Sequence, residues 1–133
     1  GININVVNEP ADGYWSNVWL KKPFIANNWG GRPTEDQMFS VAYEKGAPWN
    51  DTHFSDERFN ALLKEARAEL DDPRRREMYA EMQQILHDEG GVITVAFVSW
   101  RLAMTQNIGH AETGGILPAD NHRCAERWWR SDV

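Results

Sequence analysis

The chain has 133 residues, 41% hydrophobic and 26% charged, proportions ordinary for a single domain spanning residues 1–133 with one core and unlike those of a disordered segment. Its net charge of −6 excludes a nucleic-acid surface, because phosphate binding draws its affinity from clustered Lys and Arg. One cysteine, Cys124, excludes an internal disulfide, and no apolar run approaches the length of about 18 residues that a membrane span needs.

In chain order, Ile2 to Val7 alternates apolar and polar residues as a short strand does, and Pro10 suits the first turn of a helix to about Lys22 with Tyr14, Trp15, Val18 and Trp19 on its apolar stripe. Phe24 to Trp29 reads as a second strand, delivering Trp29-Gly30-Gly31-Arg32 at its carboxyl end, where ligands sit in α/β folds. Pro33 stops it, and Thr34 with Gln37 has capping-box spacing for a helix from Glu35 to about Glu44. Ser55 precedes a helix from Asp56 to about Asp71, with Phe59, Leu62, Leu63, Ala66 and Leu70 on one face. Asp72, as cap, and Pro73 start another helix to about Asp88, with Met78, Met82, Ile85 and Leu86 buried and Gly90 or Gly91 as its end. Arg74-Arg75-Arg76 reads as a solvated face, with Arg74 in reach of Glu77.

Val92 to Trp100 is the strongest strand candidate, β-branched and aromatic in alternation, and Leu102 to Thr105 extends or pairs with it. Gly109 to Asn121 is loop-like, and Ala125 to Arg130 reads as a last short strand. The expected fold is α/β: a helical hairpin packed on a small mixed sheet of about three or four strands, partly parallel because helices connect them.

The chemistry concentrates in Asn27-Asn28-Trp29-Gly30-Gly31-Arg32-Pro33-Thr34-Glu35-Asp36. Glycines let a backbone approach a ligand, a Trp ring is a stacking platform, and Arg presents a planar fork of donors suited to carboxylate or phosphate. Asn28 can add an amide hydrogen bond, and Trp49 with Asn50 in Ala47-Pro48-Trp49-Asn50-Asp51-Thr52 can line the same rim, where Asn50 or Asp51 capping a turn is the alternative. No nucleophile elbow, phosphate loop, zinc motif or dinucleotide fingerprint is present, so neither cofactor nor metal is expected; His122 and Cys124 alone do not complete a metal site.

With Glu9 to Lys22 ahead of this loop and two charged amphipathic helices behind it, the chain resembles the C-terminal part of a family 5 extracytoplasmic solute-binding protein, the peptide/nickel/opine receptors of ABC importers. The resemblance covers nearly the whole chain, most specifically Trp29 to Leu63, Ala66 to Asp71, Arg76 to Leu86 and Gly90-Gly91-Val92-Ile93. It implies part of the C-terminal lobe of a type II (cluster C) periplasmic-binding-protein fold, non-enzymatic, periplasmic or otherwise extracytoplasmic. It also implies a small-molecule or oligopeptide solute, an ABC permease as partner, and a longer receptor whose signal peptide and N-terminal lobe lie outside this sequence. A lobe without its neighbours is expected to self-associate.

In the peptide-binding branch, the loop after the matching Trp carries an aspartate that pairs with the ligand's amino terminus, whereas here Gly30-Gly31-Arg32 takes its place. If Arg32 faces the cleft, it favours an anionic or sugar-like solute; an ion pair with Glu35 or Asp36 that fixes the loop is the rival. Two other classes remain open. An exposed row of Trp15, Trp19 and Trp29 would suit a stand-alone carbohydrate- or partner-binding module. A hydrolase would use Glu35 or Asp36 with a raised pKa in a cleft, against the reading of both acids as helix-dipole partners.

Overall fold

Helices form wherever the chain carries its own start signals. A computed structural model describes residues 1–131. It contains α1 Tyr14–Asn17, α2 Glu35–Ala42, α3 Glu57–Ala68, α4 Asp72–Glu89, β1 Ile108–His110, α5 Pro118–His122, α6 Cys124–Arg127 and β2 Trp128–Arg130. Asp56 caps α3 by accepting the Phe59 N–H at 2.6 Å, and Asp71 caps α4 by accepting the Arg74 N–H at 2.8 Å. The cap of α4 is thus Asp71 and not Asp72, which is already helical; Asp72 instead pairs with Arg75 one turn on. Arg74 reaches back to Glu69 at 3.1 Å, outside the helix, in place of Glu77.

The chain forms two compact units, one of residues 1–30 and 35–92, the other of residues 31–34 and 93–133. The helical core belongs to the first. There α3 and α4 lie against each other and α2 against α3, burying Phe59, Leu62, Leu63, Ala66, Met78, Met82 and Leu86 as the helical spacing predicts, together with Phe39; Leu70, expected on the same face, lies past the end of α3 and is exposed. The Phe59 ring, wholly buried, sits 5.3 Å from both Phe39 and Phe54. On the rim, Arg58 holds Glu81 through two bonds of 2.7 and 2.9 Å, joining α3 to α4. Arg67 holds Asp36 at 2.7 Å, joining α3 to α2. Solvent-exposed pairs of this kind contribute little to stability and serve register more than energy.

The strands differ from the sequence expectation. The sheet is two-stranded and antiparallel, with Ile108 opposite Arg130, Gly109 opposite Trp129 and His110 opposite Trp128. It lies in the second unit, away from the helical hairpin's sequence, so the mixed, partly parallel sheet under that hairpin is corrected. The chain is α/β only in the loose sense that helices and a small sheet coexist. Ile2–Val7, Phe24–Trp29, Val92–Trp100 and Leu102–Thr105 are not strands among the described residues. A strand satisfies its backbone only through a neighbour, so β propensity without a partner leaves extended chain.

The expected helix from Pro10 to Lys22 shrinks to α1, because Gly13 takes a left-handed conformation, φ 88°, at its start and Leu20 another, φ 59°, just past its end. The expected last strand, Ala125 to Arg130, begins inside the helix Cys124–Arg127 and only Trp128–Arg130 is extended. The expected loop, Gly109 to Asn121, begins inside the partner strand Ile108–His110. At Gly109 the Trp129 ring leaves no room for a side chain, a cross-strand aromatic lying over a glycine.

Candidate functional site

Two tryptophans of the first unit converge on one carboxylate. Asp51 Oδ2 accepts the indole N–H of Trp19 at 3.0 Å, the indole N–H of Trp29 at 3.2 Å and the side-chain amide of Asn27 at 3.0 Å. Three donors on one oxygen bring together residues from 19 to 51. Around them runs a chain of ring contacts: Tyr14 to Trp15 at 5.3 Å, Trp15 to Trp19 at 5.5 Å, Trp19 to Trp49 at 6.3 Å and Trp49 to Trp29 at 6.3 Å. Most are edge-to-face, the geometry the ring quadrupole favours. The Tyr14 hydroxyl donates to the Ala26 carbonyl at 2.7 Å, tethering α1 to the segment before Trp29.

Trp15 and Trp49 remain 62% and 50% exposed, while Trp19 and Trp29 are partly buried beside Asp51. The result is a cradle with two open rings, two inner rings and a single formal charge. That charge reaches beyond the cradle: the Tyr43 phenol is pushed above its ordinary pKa, first by burial and then by Asp51.

The residues expected to contact a ligand divide as follows. Trp29 and Trp49 share the cradle. Asn28 is exposed, with its backbone N–H on the Asn27 side chain at 2.8 Å. Gly30 closes the first unit, whereas Gly31 and Arg32 belong to the second. Arg32 Nη1 donates to the Gly31 carbonyl at 3.4 Å.

Asn50 takes the turn-holding alternative to a rim contact. It is buried, its amide N–H groups pointing at the Phe54 carbonyl at 2.8 Å and toward those of Tyr43 and Glu44 at 3.4 and 3.3 Å, and its oxygen accepting the Phe54 N–H at 3.0 Å and the Thr52 hydroxyl at 3.1 Å. An amide so occupied holds the turn that presents Trp49 and Asp51 on either side of it.

No family model, curated protein or solved structure matches the chain. The site therefore has to be read from its own chemistry.

Asp36, one of the two acids weighed for hydrolysis, accepts from Arg67 at 2.7 Å and from the Tyr79 hydroxyl at 3.4 Å. Those contacts pin α2 to α3 and raise the Tyr79 pKa, with burial the larger cause and Asp36 the next. Among the described residues no group of three or more His, Cys, Asp and Glu is arranged to hold a metal ion, and no helix is long and apolar enough to cross a membrane.

The second unit has a hub of its own, which sequence reasoning missed. Asp120 is 2% exposed. Its Oδ1 accepts the Gly114 N–H at 2.6 Å and Arg127 at 2.8 Å, and its Oδ2 accepts the Trp128 indole at 3.2 Å. The Gly114 bond above all, then Arg127 and Trp128, hold its carboxyl below the ordinary aspartate range against the opposing effect of burial. Ala119, Asp120, Asn121 and His122 all have left-handed φ, from 50 to 62°, a winding that no propensity scale suggests for Ala or His.

Proposed function

We propose that the chain is the ligand-gripping portion of a solute-binding lobe: the C-terminal part of a family 5 receptor with a type II binding-protein fold. On this reading it is non-enzymatic and extracytoplasmic, and it hands a small polar or peptide-like solute to an ABC permease. The observation that carries the reading is the meeting of Trp29 with the Trp49 ring and, through its indole N–H, with Asp51. Two ends of one stretch that the resemblance covers, about 20 residues apart in sequence, meet in one cradle with an exposed ring, as a ligand wall requires.

Unpartnered apolar chain adds support. Ile2, Val6, Ile93, Val95, Phe97 and Val98 are each at least 76% exposed, which suits segments whose neighbours belong to the rest of a larger lobe. On the same argument the chain by itself self-associates, so light scattering should give a dimer or larger species, and a monomer at high concentration would count against a missing partner.

A second reading has one observation in its favour. The whole ring series from Tyr14 to Trp29 comes from this chain alone, as a stand-alone carbohydrate- or partner-binding module would need. Sequencing the encoding reading frame separates the two. The lobe reading expects an upstream lobe with an export signal in the same frame. A frame opening at or near Gly1 would overturn it in favour of the module.

A further inference from the structure

A carboxylate set among indoles is chemically selective. A ring face attracts a cation through its quadrupole and is indifferent or hostile to an anion, and the attraction strengthens as water is excluded. The cradle adds to those faces one full negative charge, Asp51, whose Oδ2 is held in place by Trp19, Trp29 and Asn27. Because all three bonds converge on Oδ2, the carboxylate is oriented by neutral donors and no Lys or Arg neutralises it through those bonds. The charge is therefore available to a ligand, and the net charge of −6 on the whole chain acts in the same direction.

The two open rings fit the same chemistry. Trp49 contacts both inner indoles and is half exposed, so a bound group resting on it lies beside the Trp19 and Trp29 rings that Asp51 anchors. Trp15 extends the aromatic wall from the Trp19 side. Edge-to-face packing leaves ring planes turned in different directions, at 80° between Trp15 and Trp19 and 69° between Trp19 and Trp49. A rounded ammonium can rest against faces so turned, whereas a flat sugar ring stacks on one broad platform.

From this geometry we infer that the Trp15, Trp19, Trp29, Trp49 and Asp51 cradle binds a small organic cation of the alkyl- or methyl-ammonium class. The inference names the solute class of the proposed binding site and rests on that reading. It assigns Asp51 two tasks: fastening the inner indoles through its oxygen and balancing the ligand's charge.

The test is a titration of the full 133-residue chain, followed by tryptophan emission, with four probes: choline, the neutral tert-butyl isostere of choline, methyl phosphate and a neutral disaccharide. Choline should give a saturable change, and its neutral isostere, equal in size and lacking only the charge, should bind about tenfold or more weakly. Asp51→Asn keeps an oxygen for the indole donors and removes the charge; it should lose the choline response by a similar factor while its far-UV circular dichroism stays that of the parent. Trp49→Leu should lose it with Asp51 intact. Equal binding of choline and its isostere, or an Asp51→Asn variant that binds choline unchanged, would overturn the inference. Saturable binding of the disaccharide or methyl phosphate without choline would overturn the cation inference and leave the solute-binding reading standing. Silence from all four would remove the first and count against the second.

Discussion

The α3–α4 hairpin and the stretch from Val92 to Met104 are both rich in apolar side chains, and they meet opposite fates. In the hairpin, Phe59, Leu63 and Met82 are wholly buried; in the stretch, Phe97 is 94% exposed and Val95 91%. The difference lies in where the partner comes from. A helix closes its own hydrogen bonds and needs only one neighbouring face, which the next 18 residues of chain supply as α4. A strand needs another strand at both its backbone and its side chains, and none within reach of Val92–Met104 pairs with it among the described residues.

That contrast can be broken by mutation, beginning where the effect is largest. Phe59→Ala should cost about 3–5 kcal/mol in urea unfolding followed at 222 nm, since Phe39 and Phe54 cannot both collapse into the space it leaves; a loss under about 1 kcal/mol would mean the hairpin core is not the stabilising centre. Asn50→Ala should cost about 1–3 kcal/mol by the same measurement, because it strands the Phe54 N–H and carbonyl in a buried turn. It should also disturb the indole signal, which a purely local loss would leave alone. Asp56→Ala, removing only the cap on the Phe59 N–H, should cost about 1 kcal/mol. At the far end, Phe97→Ser measured at low protein concentration should change helical stability by no more than about 0.5 kcal/mol while lowering binding of a hydrophobic dye. A large loss there would show that the stretch is packed after all.

Acid sharpens the comparison differently, because the second unit is organised around a buried depressed carboxyl, whereas those of the first, Glu81 and Asp88, lie exposed on α4. Asp120 binds fewer protons folded than unfolded near its ordinary pKa, so its contribution is complete above about pH 4, the unfolded aspartate range. The contribution then declines as pH falls through the lower folded value. Trp128 emission should report that loss at acid pH, and Asp120→Asn should remove the pH dependence. The hairpin's own depressed carboxyls, Glu81 held by Arg58 and Asp88 by Gln84 and His87, are exposed, so its α-helical signal should change less over the same acid range.

How much of this was legible in the sequence follows the same division. The extents of α3 and α4 and their buried stripes could be read to within a few residues, because capping and i, i+4 spacing are local. The expected strands could not, since a β-prone run states its preference and not its partner. At the site, Trp29 and Trp49 were legible as candidates from their setting among Gly, Pro and Asn. Asp51 was visible only as a turn residue: its role depends on donors from positions 19, 27 and 29, a coincidence in space that spacing does not encode. Asp120 had no signal beyond its place in a Gly- and Pro-punctuated loop, and Asn50 stayed open between rim and turn because an Asn in a turn looks the same whether its amide faces solvent or backbone.

The left-handed winding at Ala119–His122 links charge to chirality. Each non-glycine residue wound that way gives up roughly 1–2 kcal/mol relative to right-handed backbone, so the turn persists only while something outside it holds it, and its holders include the Asp120 contacts to Gly114, Arg127 and Trp128. Adding one proton to Asp120 weakens those contacts, so acidification acts where the chain is wound most tightly against its own chirality, at the turn from which α6 and β2 follow.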